Sequence, residues 1–105
     1  MTSKQRAYLK SLAMNIVPTI QIGKSGLTPD ITKSVEEAYN TKELIKISVL
    51  QNCMESPKEM AEMLAERTGS QVVQVIGKKI VLYKEGKGEK KKIILPKAGK
   101  KADND

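Results

Sequence analysis

Residues 19–29 read Thr19-Ile20-Gln21-Ile22-Gly23-Lys24-Ser25-Gly26-Leu27-Thr28-Pro29, and this stretch decides which fold the chain builds. Its first four residues alternate polar and apolar, as a strand with one buried face does. Its last two start a helix: Thr28 is a good N-cap, and Pro29 suits the first helical position because its missing N–H would be unpaired there anyway. Gly23-Lys24-Ser25-Gly26 breaks the strand between them. A strand, a short break and a helix open a β-α-β unit, which favours a parallel crossover.

Upstream, Leu9, Leu12, Ala13 and Ile16 recur at helical spacing behind a cap at Thr2 or Ser3, predicting a helix to about Asn15 that Pro18 stops. Downstream, Ile31, Val35 and Ala38 line one face of the second helix, which should end near Thr41. Ile45, Ile47 and Val49 alternate with Lys46 and Ser48 as a second strand. Ser56-Pro57-Lys58-Glu59 is a capping box opening a third helix, with Met60, Met63 and Leu64 as its apolar stripe and Gly69 as its C-cap. Val72 to Ile76 and Ile80 to Tyr83 flank Gly77-Lys78-Lys79 and pair as a hairpin. The fold class is therefore α/β, in the order α-β-α-β-α-β-β, with a mixed four-stranded sheet.

With 105 residues and 11.6 kDa there is room for one small domain. No Trp or Phe and three Tyr leave an aliphatic core. Cys53 is the sole cysteine and there is no histidine, which excludes an internal disulfide and a zinc site and fits a reducing compartment. The longest uncharged run, Ser11 to Gly23, is too short and polar to cross a bilayer, so the reading is cytoplasmic, with no membrane partner.

Charge is unevenly spread. The net +7 divides into +4 over residues 1–34, −3 over 35–70 and +6 over 71–105, which a fold can turn into one basic and one acidic side. Residues 97–105 have almost nothing to bury and read as a charged, disordered tail behind a domain spanning 1–96. Ile93-Ile94-Leu95 is a local apolar group that could dock on that domain.

The break Gly23 to Gly26 is the sharpest local feature. Two glycines permit positive φ and a close approach of another backbone, and the following helix N-terminus offers unpaired N–H groups to an anion. The same residues would also serve a plain strand-to-helix turn. A P-loop is excluded, since Pro18 stands where its first glycine is required. Ser25 lacks a histidine to activate it, and the chain offers no metal set or cofactor loop, so an enzyme with a small-molecule substrate is not expected. Glu59, Glu62 and Glu66 share one face of the third helix, an acidic face unsuited to meeting phosphates. The tyrosines are scattered over different elements, so any nucleic acid must be held chiefly by its backbone. On charge grounds Arg6, Lys10, Lys33 and Lys46 join Lys24 as candidate contacts.

Several segments together resemble the CRM (chloroplast RNA splicing and ribosome maturation) domain, in its single-domain bacterial YhbY type. They are Lys4-Gln5-Arg6 with Leu9 to Ala13, Ile22 to Thr28, Glu43-Leu44-Ile45-Lys46, Thr68-Gly69, Val73 to Lys78 with Val81-Leu82-Tyr83, and Leu95-Pro96. The resemblance implies a fold like the C-terminal domain of translation initiation factor 3 and RNA binding through the G-x-x-G loop, here Gly23, Lys24, Ser25 and Gly26. It also implies, as partner, ribosomal RNA in precursors of the large ribosomal subunit. No cofactor or metal is implied, and a monomer is expected. Gly26→Asp is expected to weaken binding and leave thermal unfolding nearly unchanged. The competing expectation is a protein adaptor that docks on a ribosomal protein or assembly factor through the acidic third helix.

Overall fold

A computed structural model of the chain describes residues 1–86 and Ile93. The elements are α1 (Ser3–Ala13), β1 (Ile20–Ile22), α2 (Pro29–Ala38), β2 (Leu44–Val49), α3 (Pro57–Thr68), β3 (Gln71–Ile76) and β4 (Lys79–Tyr83). The order is the one the sequence predicts, and the bounds differ by at most three residues. All three helices start on hydroxyl caps: Thr2 accepts from Gln5 N at 3.1 Å, Thr28 from Ile31 N and Ser56 from Glu59 N, both at 3.3 Å. At α1 the box is complete, with the Gln5 side chain receiving the Thr2 amide. Gly69 ends α3 at φ 69°, a left-handed conformation that glycine adopts without a Cβ penalty.

The sheet order is β1-β2-β4-β3. β1 and β2 pair in parallel across α2, as the β-α-β reading requires. β4 inserts antiparallel between β2 and β3, so β2 and β3 run the same way with β4 between them. Strand alternation sends side chains to two separate cores. Ile22, Ile45, Ile47, Val49, Ile80 and Leu82 face α2 and α3 and meet Val35, Met60 and Leu64. Leu44, Val73, Val81 and Tyr83 face α1 and meet Leu9 and Ala13. Burying each such Leu or Ile contributes about 1.5–3 kcal/mol, so the thicker α2/α3 core dominates. The β3 ladder slips between Val72 and Gln74, a bulge that places Val73 in the α1 core.

One side chain departs from its sequence reading, and another takes a place that the sequence reading did not address. Met63, expected in the core, is 41% exposed, whereas Met60 is fully buried. Glu43, at the entry to β2, is only 4% exposed and accepts the backbone N–H groups of Gly86 and Ile93 at 2.6 Å each. Ile93 therefore does dock, beside Leu12 and Ile16 of the α1 core. Ile94, Leu95 and the 97–105 tail lie outside the described residues.

Candidate nucleic-acid interface

The loop after β1 is a four-residue turn: Gly26 N–H donates to Gly23 O at 2.9 Å, and Lys24 and Ser25 form its exposed corners. Gly26 has φ +69°, which only glycine adopts cheaply. The missing Cβ is used by the protein itself. A Cβ on Gly26 would lie 2.5 Å from the Glu55 carboxyl carbon, and that carboxylate accepts Leu27 N–H at 3.1 Å. This corrects the expectation that both glycines admit a ligand backbone and that Gly26→Asp spares the fold: Gly26 is buried under Glu55, so a side chain there is strained and clashes. Gly23 differs, since a Cβ there would make only ordinary contacts with Leu50 and Asn52. A ligand can reach the loop at Gly23, Lys24 and Ser25.

Three turns meet at this end of the sheet. Leu50 N–H donates to Ile22 O at 2.8 Å and Val49 N–H to Lys78 O at 2.7 Å, which joins the Gly23 turn, the turn after β2 and the Gly77-Lys78 hairpin turn side by side. The N-termini of α2 and α3 begin at the same end, since both helices follow strands that finish there. Ligands of open α/β sheets bind outside the carboxyl ends of parallel strands for this reason. Lys24, Lys78 and Lys79 supply positive charge along this rim.

The chain places its charge by layer. Residues 1–29 and 67–84 contain no Asp or Glu, so α1, the outer sheet face and the hairpin carry Lys4, Arg6, Lys10, Lys78 and Lys79 with no carboxylate of their own. The opposite layer, α2 and α3, carries Asp30, Glu36, Glu37, Glu59, Glu62 and Glu66. The two-sided charge expected from the sequence blocks is thus realised by topology.

The predicted site residues do not gather in one place. Gly23, Lys24 and Ser25 lie on the rim. Arg6 and Lys10 are exposed on α1, with Arg6 near β3, beside Val72 to Val75. Lys33 is exposed on α2, within the acidic layer and on the far side of the sheet from Arg6. Lys46 is half-buried, and its ammonium donates to Ala13 O at 3.2 Å, where it neutralises the carbonyl end of α1. Lys78 and Lys79 join Lys24 as candidates on this rim, although the sequence alone presents Gly77-Lys78-Lys79 only as a turn. The signal was available in the register, which brings that turn to the strand end carrying the glycine loop.

Beside the loop, on its acidic flank, Leu27, Met54, Glu55, Glu59 and Met63 line a cleft of about 520 Å³, with Met54 92% exposed. No group of side chains that could hold a metal ion occurs among the described residues, and no described helix is long and apolar enough to cross a membrane.

A small mixed sheet with one helix on one face, two on the other, and a glycine turn at the carboxyl end of its parallel pair defines the class of domain. The chain belongs to the CRS1/YhbY (CRM) domain family, whose profile matches residues 1–84. It is 48% identical to "Probable RNA-binding protein YqeI" of Bacillus subtilis over 91% of this chain and 99% of that one. It is 31% identical to "Probable RNA-binding protein MJ0652" of Methanocaldococcus jannaschii over 100% of this chain and 78% of the relative. The solution structure of hypothetical protein SAV1595 from Staphylococcus aureus, 49% identical, superposes with a TM-score of 0.77 over 91% of this chain and 99% of that one.

Proposed function

We propose that this protein is a non-enzymatic, monomeric RNA-binding protein of the cytoplasm that associates with ribosomes. It holds ribosomal RNA of the large-subunit precursor by its backbone at the turn Gly23-Lys24-Ser25. The observation that carries the reading is the convergence of that turn and the Lys78 hairpin turn on one rim, at the edge of the basic outer face of the sheet. Backbone N–H groups and ammoniums there match phosphate oxygens, which fix register without reading sequence. Gly26 contributes by shaping the turn, Arg6 and Lys10 extend the basic side over α1, and Lys46 and Lys33 contribute least. Relatives named as RNA-binding proteins support the partner class.

Ultraviolet crosslinking in cells, followed by sequencing of the attached RNA, tests this directly. Precursor large-subunit RNA crosslinked through peptides of residues 20–25 and 77–79 is the expected result. Crosslinks to protein alone would overturn the reading in favour of the adaptor. That alternative rests on the cleft beside Leu27, whose exposed Met54 and Met63 between Glu55 and Glu59 suit a basic, apolar protein segment.

A further inference from the structure

α1 leaves part of its own sheet face uncovered. The strand register aligns Gln21 with Ser48, Ser48 with Lys79 and Lys79 with Ile76, a row across all four strands at the rim end. None of these side chains belongs to the α1 core, which is built from Leu44, Val73, Val81 and Tyr83 one and two rows further in. Gln21 is exposed, Ser48 and Lys79 are half-exposed, and Ile76 is 60% exposed. With adjacent strands about 4.8 Å apart, the row spans about 14 Å.

We infer that this row is a second RNA contact, a track along which a single strand leaving the glycine turn crosses the sheet toward Ile76. The inference rests on the RNA-binding reading above. Gln21 stands two residues before Gly23, so the track is continuous with the turn. Its residues divide by chemistry. Lys79 offers a charge to phosphate. The Gln21 amide and the Ser48 hydroxyl can donate to and accept from a ribose 2′-hydroxyl, the group that distinguishes RNA from DNA. Ile76 is the apolar end on which a base can rest. No carboxylate interrupts the row, which matches a polyanion and disfavours the basic protein segment that the opposite flank suits.

The test titrates fluorescent 12-nucleotide oligouridine, and the DNA oligomer of the same base and length, into the full chain, Gln21→Glu, Ile76→Ser and Lys24→Glu. Gln21 and Ile76 are exposed, so thermal unfolding of both variants should match the parent. Gln21→Glu sets a charge against the strand at unchanged size and is expected to lower RNA affinity roughly tenfold. Ile76→Ser should lower it less and equally for RNA and DNA, whereas Gln21→Glu should also narrow the preference for RNA over DNA. Parental affinity in both row variants, with loss in Lys24→Glu, would overturn the track and leave the turn standing. Parental affinity in all three would instead sink the binding reading. Self-association of the parent that disappears in Gln21→Glu would assign the row to a second copy and also overturn the track.

Discussion

At each end of the sheet a glutamate carboxylate holds main-chain amides far away in sequence, yet the two ends have opposite characters. Glu43 at the start of β2 is buried and receives the Gly86 and Ile93 amides, which ties those two residues to that end. Glu55 beyond the end of β2 is exposed and receives Leu27 N–H, which shapes the glycine turn while leaving Lys24 and Ser25 in solvent. The difference teaches where stability and function separate. A carboxylate removed from water must keep its donors or destabilise the fold, whereas one at the surface can shape a loop at little energetic risk.

Breaking the closed end should cost most. Glu43→Ala leaves two half-buried amides without their acceptor and should destabilise by about 3 kcal/mol, seen as a lower urea midpoint, with oligouridine affinity of the folded fraction unchanged. A protein as stable as the parent would show the end is not held this way. At the open end, Gly26→Asp combines a left-handed φ with the Glu55 contact and should cost about 2 kcal/mol, so stability and binding fall together. Glu55→Gln at the same turn separates them.

Alkaline pH sharpens the contrast further. Tyr39, at the closed end with Lys84 Nζ 5.7 Å from its ring centre, has its hydroxyl pushed up to about 12 by burial. Its folded pKa lies above the unfolded value near 10, so its neutral form favours folding. That contribution is complete below pH 10 and is lost as pH rises toward 12, amounting to about 1 kcal/mol at pH 11. Tyr39→Phe should flatten this part of the stability curve. The smallest effect belongs to Glu55→Gln. It keeps an acceptor for Leu27 N–H and removes one negative charge beside the turn, so RNA affinity should rise by about threefold with unfolding shifted by less than about 1 kcal/mol. An unchanged affinity would place the strand away from this turn.

The element order was legible because each helix and strand announces itself locally: Thr28-Pro29, Ser56-Pro57 and the alternation through Ile45, Ile47 and Val49 need no partner to be read. The glycine turn was legible for the same reason. What the sequence hides is long-range. Glu43 and Glu55 look like ordinary charges until a fold brings Ile93 and Leu27, 50 and 28 residues away, against them. Gly26 looked like an opening for a ligand because Glu55 was not yet in view. Lys33 looked like part of the basic side because charge blocks along the chain do not reveal which face α2 takes. Lys46 was named on charge alone, and its engagement with Ala13 O depends on where α1 ends.

The central claim is that RNA is gripped through its phosphates at the open rim, and the salt dependence of oligouridine affinity tests it most directly. About four phosphate contacts with a single strand predict that log K falls against log salt concentration with a slope near −3. Lys24→Glu should make that slope shallower by about one. A slope close to zero in the parent would contradict the account.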